Sequence, residues 1–367
     1  MKIAMVAPEK LPVPGNGSVE ICILGIAREL ALHHQVTIIS RQMPNLAITE
    51  RMDGITIRRV PASSPTEYTK SVIRLLKIHP FDLIQVDNRP YSMAAVKRAF
   101  PHLPVVLYLH SLTFAQPGPA RLALLKQANW IGVNSQSLKQ RLGRRFPSLK
   151  RRMGVVPLGV DLDRFSPANK GEQQLLQKQF GITGSSFSIL YVGRLIPGKG
   201  VDVLIRAVSL LQPQVPVQLI VVGRGPQAYV RKLRQLAKKL KVDASFRGQV
   251  AHKHIERLYR AADCLVCPSQ EHEAFGLVNV EAMASGLPVI ASDNGGIREI
   301  ITSGSNGYLV KEYNDPHSFA TYLYKLADNP SLARSLGEAG RVSTVEHFSW
   351  AQTAMHLESA YTRLIRG

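Results

Sequence analysis

The chain has 367 residues, of which 45% are hydrophobic and 20% are charged. This length is sufficient for two domains with complete hydrophobic cores, and the composition is typical of a globular protein. No segment reaches the roughly 18 uninterrupted apolar residues of a membrane-spanning helix, so the sequence predicts no membrane span. Three cysteines, Cys22, Cys264 and Cys267, argue against a disulfide-stabilised secreted domain. Together with a start that reads as a strand rather than a signal peptide, they favour a cytoplasmic location.

The net charge of +20 is distributed unevenly. Residues 1–165 carry 23 Lys and Arg against 10 Asp and Glu, whereas residues 166–367 carry 23 against 16. The densest cluster comprises Lys139, Arg141, Arg144, Arg145, Lys150, Arg151 and Arg152. Such a surface suits an anionic membrane or a polyanionic glycan, and a solvated surface without a specific partner is the alternative. No nucleic-acid partner is expected, because the cluster lacks interleaved aromatic residues and a recognisable binding module.

The first half of the chain alternates short apolar runs with amphipathic helical periods. Strands are predicted at residues 2–7, 36–41, 55–60, 82–87, 105–110, 130–135 and 153–158, and helices at 18–33, 90–100 and 135–146. Short strands that alternate with helices predict a parallel, doubly wound sheet of the Rossmann type.

After a polar linker the same pattern begins again. Strands are predicted at residues 188–193, 217–223, 244–248, 263–268, 288–292 and 307–310, and helices at 204–211, 229–240, 254–262 and around Glu281. The tail, residues 315–366, is predicted to be helical with a break near Phe348 and Ser349. The prediction is an α/β protein with two Rossmann-like doubly wound domains, residues 1–165 and 166–348, and a final helix in 349–367. Ligands of such sheets bind at the carboxyl ends of the strands, and we expect the two domains to face a central cleft.

The loop after the first predicted strand contains Gly15 and Gly17 on either side of Asn16. Glycines directly before a helix allow backbone amides to approach an anion closely. The loop does not match G-x-G-x-x-G, and no acidic residue ends the second strand. The sequence therefore does not predict a dinucleotide site, and ligand contact at these glycines is one interpretation of the loop.

His110 stands at the end of an apolar run, in front of a loop. A histidine at a strand end can hydrogen-bond a sugar hydroxyl or transfer a proton near neutral pH. A structural histidine with its hydrogen bonds satisfied is an equally good interpretation of the sequence alone.

The segment GRLIPGKG, residues 193–200, follows the first strand of the second domain and places Arg194 and Lys199 on one loop before a helix. A forked guanidinium and a point-charge ammonium together match a pyrophosphate. The glycines keep side-chain bulk away from the phosphates. The alternative is that both residues are ordinary surface charges.

The stretch EHEAFGLVNVEAMASGLPVI, residues 271–290, predicts a polar loop, a helix and a strand. The first N–H groups of a helix have no partner within it and lie at the positive end of its dipole, so residues 275–278 are suited to hold a phosphate. Glu273 lies just before that end and can accept hydrogen bonds from a polyol, while Glu281 lies about two turns into the helix. The alternatives are a helix N-terminal charge for Glu273 and a solvated helix surface for Glu281.

The order of these motifs closely resembles that of the retaining glycosyltransferases of family GT4, which have the GT-B fold. The resemblance covers the whole chain: the glycine loop, His110, the Arg194 and Lys199 loop, the E-x7-E element and a final helix at about residues 351–365. In this family the final helix packs back on the first domain. The segments EKLPVP and Asn88-Arg89-Pro90 also resemble the spore-coat-associated branch.

The resemblance implies a role for each matching residue. Glu273 would bind hydroxyls of the transferred sugar and Glu281 the ribose. Arg194 and Lys199 would neutralise the diphosphate leaving group, and His110 would face the donor sugar.

The remaining implied contacts are with the phosphates and the base. Gly15 and Gly17 would touch the donor from the opposite domain. Backbone amides would hold a phosphate at Phe275, Gly276, Leu277 and Val278, and the base would rest near Gly248 and Val250. Fixed cations and dipoles would stabilise the departing diphosphate, so no metal and no further cofactor is implied. Asn16 and Ser111 depart from the family pattern. These departures affect the implied geometry of the acceptor more than the implied binding of the donor.

The resemblance thus implies a metal-independent hexosyltransferase that retains anomeric configuration. Its donor is a nucleotide-diphosphate sugar, with UDP favoured by family frequency, and its acceptor is a hydroxyl of a glycan, lipid or small molecule. The expected location is cytoplasmic, with peripheral contact at an anionic membrane or the spore surface. A glycosyltransferase-like coat protein without turnover is the alternative. An oxidoreductase is rejected because the dinucleotide fingerprint is missing.

Overall fold

The computed structural model describes residues 1–13 and 17–366. The chain divides into two compact units, one formed by Met1–Gly159 with Trp350–Gly367 and the other by Val160–Ser349. The boundary between the two units was expected after residue 165 and lies after residue 159. The last helix belongs to the first unit. No helix in the described ranges combines the length and the apolar character needed to cross a membrane.

The first unit is built on an eight-stranded sheet in the order β3-β4-β2-β1-β5-β6-β7-β8. Its strands are β1 (Lys2–Lys10), β2 (Gln35–Arg41), β3 (Thr49–Met52), β4 (Ile55–Val60), β5 (Leu83–Asp87), β6 (Val105–Leu109), β7 (Trp130–Val133) and β8 (Met153–Val155). Its helices are α1 (Ser18–Ala31), α2 (Pro65–Ile78), α3 (Pro90–Ala99), α4 (Pro119–Leu125) and α5 (Gln136–Arg145). Every strand pair is parallel except β3 with β4.

All seven strands predicted for the first half are present, but β3, α2 and α4 were not predicted. The β3–β4 hairpin turns at Asp53 and Gly54, both with positive φ (49° and 75°). Asp-Gly is a strong signal for a two-residue hairpin turn, and the sequence analysis overlooked it. Helix α2 also carries a start signal, since the Ser64 hydroxyl accepts a hydrogen bond from the Glu67 amide at 3.2 Å.

The second unit contains a six-stranded, all-parallel sheet in the order β11-β10-β9-β12-β13-β14. The strands are β9 (Phe187–Val192), β10 (Val217–Val222), β11 (Ala244–Gly248), β12 (Cys264–Cys267), β13 (Val289–Ser292) and β14 (Tyr308–Val310). The helices are α6 (Lys170–Phe180), α7 (Val201–Leu211), α8 (Gln227–Lys239), α9 (Glu256–Ala261), α10 (Leu277–Ala284), α11 (Pro316–Asp328) and α12 (Pro330–His347). Two doubly wound sheets, one all-parallel and one parallel except for the β3–β4 pair, confirm the predicted fold class.

The tail contains more breaks than the sequence analysis predicted. The break near residue 348 is present, because α12 ends at His347 and a last helix, α13, spans Trp350–Arg366. A second break separates α11 from α12 at Asn329, whose side chain accepts a hydrogen bond from the Leu332 amide at 3.0 Å. An asparagine cap followed by Pro330 is a regular start signal for a new helix.

Helix α13 packs against α1 in the first unit. The indole of Trp350 lies over Gly25 so closely that a Cβ on this glycine would be 2.5 Å from the ring. Leu357 and Tyr361 are fully buried, and the Thr353 hydroxyl donates to the Pro157 carbonyl at 2.9 Å. The last helix is therefore part of the core of the first unit.

Candidate functional site

The loop after β9 carries Lys199 in a single 3₁₀ turn, Pro197–Lys199. Gly200 follows with φ 67° and begins α7. A Cβ at Gly200 would overlap the carbonyl oxygen of Pro268. Only glycine allows the two backbones to lie this close, so the loop after β9 rests directly on the loop after β12.

Backbone hydrogen bonds fix the same two loops to each other. The Gly198 carbonyl accepts from the Gln270 amide at 2.9 Å and from the Glu271 amide at 3.3 Å. Because β9 and β12 are adjacent parallel strands, their following loops emerge at the same edge of the sheet. Residues that are 74 positions apart in the sequence therefore meet there.

Lys199 and Glu273 form an ion pair across these loops, Nζ to Oε2. The Ser269 hydroxyl donates to the same carboxylate oxygen at 3.1 Å. The two charged side chains are 24% and 20% exposed. A ligand phosphate can take the place of the carboxylate beside Lys199, and a ligand hydroxyl can donate to Glu273, so the pair is accessible to exchange.

Arg194 lies five residues earlier on the same loop and is exposed. Its carbonyl accepts a hydrogen bond from the Tyr191 hydroxyl at 2.8 Å, which fixes the start of the loop. Burial raises the pKa of Tyr191 well above its usual value, and nearby Cys267 and Glu273 act in the same direction. Within the described ranges the Arg194 guanidinium makes no ion pair with a carboxylate, so it is available to a ligand anion.

Gly276 is the N-cap of α10 and has φ 102°. A Cβ there would lie 2.6 Å from the side-chain nitrogen Nδ2 of Asn279, and the positive φ favours glycine, so glycine is needed for this tight helix start. The loop after β13 fixes the segment before this helix, because the Gly296 amide donates to the Glu273 carbonyl at 2.8 Å. Phe275 is buried, while Leu277 and Val278 are partly exposed. The predicted phosphate-binding amides, residues 275–278, therefore follow Glu273 of the ion pair within two to five positions of the sequence.

Glu281 lies on α10 and is buried, with 4% of its surface exposed. Its carboxylate contacts His252 Nε2 at 2.7 Å and accepts a hydrogen bond from the Tyr259 hydroxyl at 2.8 Å. Burial, with a smaller contribution from Glu281, raises the pKa of Tyr259 well above its usual value, so this hydroxyl remains a donor. The alternative interpretation of Glu281 as a solvated helix-surface residue is therefore wrong.

His252 also contacts Arg164, whose guanidinium nitrogen lies 3.0 Å from Nδ1. Sequence analysis missed His252, Tyr259 and Arg164 as neighbours of Glu281. His252 had a usable signal, since it lies on a loop after a strand and only two residues beyond Val250. Tyr259 and Arg164 carried no such signal, because helix α9 and the segment before α6 meet Glu281 only in the folded unit.

Gly248 and Val250, the predicted base contacts, lie at the end of β11 and just beyond it. Gly248 is exposed with φ 69°, and its carbonyl accepts from the Gly223 amide at 2.7 Å. A Cβ at Gly248 would meet no atom within 4 Å, so the space above it is open. Val250 is partly buried.

His110 lies in the first unit, directly after β6. Its Nε2 is 3.0 Å from an oxygen of Asp87, the last residue of the adjacent strand β5. Its backbone amide donates to the Asn88 side chain at 2.9 Å, and its carbonyl accepts from Asn134 at 3.2 Å. The sequence analysis did not identify Asp87, although two residues at the ends of neighbouring parallel strands are expected to lie close together.

The predicted glycine contacts of the first unit are only partly within the described residues. Gly15 lies outside them. Gly17 precedes α1, and its amide donates to the Glu20 carboxylate at 2.9 Å. The Gly17 carbonyl also accepts a hydrogen bond from the Ile21 amide at 3.0 Å, and these two contacts close the first turn of α1.

Each of the two units matches the model of a known glycosyltransferase family. The model of the family "Glycosyltransferase Family 4" matches residues 17–164, and that of "Glycosyl transferases group 1" matches residues 172–343. Spore coat protein SA of Bacillus subtilis is 32% identical over 380 residues, which cover 99% of this chain and 100% of that protein. The D-inositol 3-phosphate glycosyltransferase of Corynebacterium glutamicum is 35% identical over 252 residues, 66% of this chain and 59% of that protein.

Among solved structures, HepE of Anabaena in complex with UDP-glucose has a TM-score of 0.82 and 21% identity. The alignment covers 99% of this chain and 100% of that one. Two Rossmann-like units with these loops define a glycosyltransferase of the GT-B fold. The chain belongs to glycosyltransferase family 4, as its motifs predicted.

Proposed function

We propose that the second unit binds a nucleotide-diphosphate sugar, with UDP as the nucleotide. The observation that carries this proposal is the Lys199–Glu273 pair, with Glu273 three residues before the helix start at Gly276. A cation, a carboxylate and the first amides of a helix, brought together by adjacent loops, match the diphosphate and the sugar hydroxyls of such a donor. The UDP-glucose complex of HepE, which shares the fold, supports the choice of UDP.

Donor binding exchanges partners at this pair. Lys199 and Glu273 neutralise each other in the structure. A diphosphate brings charge for Lys199, and the sugar brings hydroxyl donors for Glu273. The carboxylate then faces the sugar rather than the phosphates, which avoids repulsion between like charges.

The reaction we propose is transfer to a hydroxyl of a glycan, lipid or small molecule with retention of anomeric configuration. The bond between the sugar C1 and the diphosphate oxygen breaks, and a bond between C1 and the acceptor oxygen forms on the same face. The acceptor proton passes to the leaving diphosphate. Lys199 and Arg194 stabilise the negative charge that develops there, so we propose that the reaction needs no metal ion.

Glu281 is proposed to bind the ribose. Its carboxylate has room for further hydrogen bonds because an ionised carboxylate offers about four acceptor positions. Two of these are used by His252 and Tyr259, which hold the side chain in one orientation. The base would then rest near Gly248 and Val250, and His110 is proposed to act on the transferred sugar.

A panel of nucleotides tests the donor. Thermal unfolding of the purified protein is measured with UDP, GDP and ADP and with their glucose conjugates, and nucleotide release is followed with and without EDTA. We expect stabilisation by UDP and UDP-glucose, with UDP release that EDTA leaves unchanged. Stabilisation by no nucleotide would overturn donor binding, and release that EDTA abolishes would overturn metal independence.

A coat component without turnover is the competing proposal, and the name of the Bacillus subtilis relative favours it. The two proposals differ in the expected chemistry. A scaffold that has lost turnover would bind UDP-glucose without releasing UDP in the presence of any candidate acceptor. Steady release of UDP that stops in Lys199→Ala and Glu273→Ala would exclude it.

We also propose that the basic cluster of the first unit contacts anionic lipid. Arg141, Arg144, Lys150, Arg151 and Arg152 are exposed on α5 and the following turn. Charges of one sign on one short segment bind an anionic surface, each contributing about 1 kcal/mol at low salt. We expect binding to phosphatidylserine vesicles that weakens steeply with salt, and equal binding to neutral vesicles would contradict this.

A further inference from the structure

We propose that Tyr361 of the last helix is a positioning residue for His110 and acts through a buried chain of hydrogen bonds formed by Gln85 and Asp87. The proposal depends on the proposed function only in assuming that His110 acts on a substrate. The chain of contacts lies entirely within the first unit.

Four side chains form this chain. The Tyr361 hydroxyl donates to Gln85 Oε1, and Gln85 Nε2 donates to Asp87 Oδ2 at 3.0 Å. The other oxygen, Asp87 Oδ1, lies 3.0 Å from His110 Nε2. Tyr361, Gln85 and Asp87 are completely buried, and His110 is 8% exposed. A connected polar chain at this depth is costly unless every member is bonded, so its members fix one another.

The chemistry of the members sets the direction of every bond. Burial, with Asp87 as a second cause, raises the pKa of Tyr361 well above its usual value, so its hydroxyl is a donor. Gln85 must then present its oxygen to Tyr361 and its NH2 group to Asp87. Both Asp87 oxygens accept in this arrangement, Oδ2 from Gln85 and Oδ1 from His110, which places a proton on His110 Nε2.

In the neutral imidazole, a proton on Nε2 leaves Nδ1 as the acceptor. Nδ1 makes no hydrogen bond to any residue in 1–13 or 17–366. The rings of Tyr108 and His110 form a T-shaped contact with their centroids 4.8 Å apart. This contact and the two backbone hydrogen bonds of His110 hold the imidazole in place. His110 is thus set to present a hydrogen-bond acceptor to a substrate hydroxyl, and Tyr361 is the far end of the chain that sets this state.

The competing explanation is that the Tyr361 hydroxyl only helps to dock α13. The same helix offers a matched control, since the Thr353 hydroxyl docks α13 by donating to the Pro157 carbonyl, which is not a member of the chain. Thr353→Val and Tyr361→Phe each remove one buried hydroxyl from the same helix. Docking alone predicts similar effects for both, whereas positioning predicts an effect on His110 for Tyr361→Phe only.

The first arm of the test reads the His110 tautomer by two-bond ¹H–¹⁵N NMR of ¹⁵N-histidine-labelled protein, with His110→Ala as the reference that assigns its signals among 11 histidines. We expect a single Nε2–H tautomer in the wild type and in Thr353→Val, and a mixture of tautomers in Tyr361→Phe. Gln85→Leu, which breaks the chain at the next link, should give the same mixture. A single unchanged tautomer in both variants would overturn the proposal, and this arm needs no enzymatic activity.

The second arm measures UDP release from UDP-glucose. We expect Tyr361→Phe to lower kcat by about tenfold at nearly unchanged KM, as found for residues that orient a reacting group. Tyr361→Phe should have no further effect in a His110→Ala background, because the chain acts through His110. Additive losses in the double variant would overturn the proposal. If the wild type releases no UDP while the tautomer changes as expected, the proposed function fails and the positioning chain stands.

Discussion

The two units each pair a carboxylate with a basic side chain at the carboxyl edge of the sheet, but they do so in different ways. In the second unit Lys199 and Glu273 come from two loops and are 24% and 20% exposed. In the first unit Asp87 ends one strand, His110 follows the neighbouring strand, and their side chains are 0% and 6% exposed. One pair is held by loops near water, and the other is held by strand register inside the protein.

The difference indicates different uses. A partly exposed ion pair contributes little stability, because water and ligand can replace either partner at small cost. A buried carboxylate that loses its donors has no such replacement. The loop pair is therefore suited to exchange partners with a charged ligand, whereas the strand-end pair is suited to keep one side chain in one state.

The largest expected effect follows from removing the exchangeable cation. Lys199→Ala should lower the rate of UDP release from UDP-glucose by about 10²–10³-fold, the usual effect of losing one group that stabilises charge at the leaving group. Steady-state kinetics measures this effect. Lys239→Ala, which removes an exposed lysine at the end of α8, is the control and should leave the rate unchanged. An equal loss in both variants would attribute the effect to net charge.

The second prediction compares the two carboxylates in stability. Asp87→Ala leaves two buried donors, on Gln85 and His110, without an acceptor, and each costs about 1–3 kcal/mol. Glu273→Ala removes a partly exposed pair and should cost about 1 kcal/mol or less. Chemical denaturation measures both. Trp130 and Trp350 are the two tryptophans of the chain and both lie in the first unit, so their fluorescence should respond to Asp87→Ala and not to Glu273→Ala. An equal loss of unfolding free energy in Asp87→Ala and Glu273→Ala would show that the two carboxylates do not differ in their contribution to stability.

The same comparison shows what the sequence could reveal. The strands, the two sheets and the loops that carry Lys199 and Glu273 follow from apolar periodicity and glycine placement. The meeting of Lys199 with Glu273 follows from strand order, which the sequence implied only through the family resemblance. The sequence analysis assigned both residues to donor binding, and it did not predict that they pair directly with each other.

Other parts of the site depend on contacts that no local pattern encodes. Tyr361 lies 276 positions from Gln85, and the contact exists because α13 returns to the first unit. Tyr259 reaches Glu281 because α9 and α10 pack in one unit, and a tyrosine on a short helix has no local sign of such a role. Asp87 is different, since its place at a strand end beside the strand of His110 made it predictable.

A third, smaller effect separates nucleotide binding from turnover. Glu273→Gln frees Lys199 from its ion partner, which is worth up to about 1 kcal/mol for a partly exposed pair. UDP should therefore bind up to about fivefold more tightly to this variant, by the usual conversion of free energy to affinity. The rate of UDP release from UDP-glucose should fall in the same variant, because the amide loses part of its capacity to accept hydrogen bonds from the sugar. Calorimetric titration with UDP measures the first change. Weaker binding of UDP would show that the pair does not exchange.

The smallest expected effect concerns the support of Glu281. Tyr259→Phe removes one of the two contacts that hold its carboxylate, and a single hydrogen bond contributes about 0.5–1.5 kcal/mol to stability. Burial raises the pKa of Tyr259, so the folded state keeps the phenol protonated while the unfolded chain begins to ionise near pH 10. Any stability that depends on this phenol is therefore fully present below about pH 10 and is lost only as the pH rises beyond it. The difference in unfolding free energy between Tyr259→Phe and the wild type should accordingly be constant from about pH 6 to 9. Denaturation at several pH values measures it, and a difference that changes within this range would assign the effect to another titrating group.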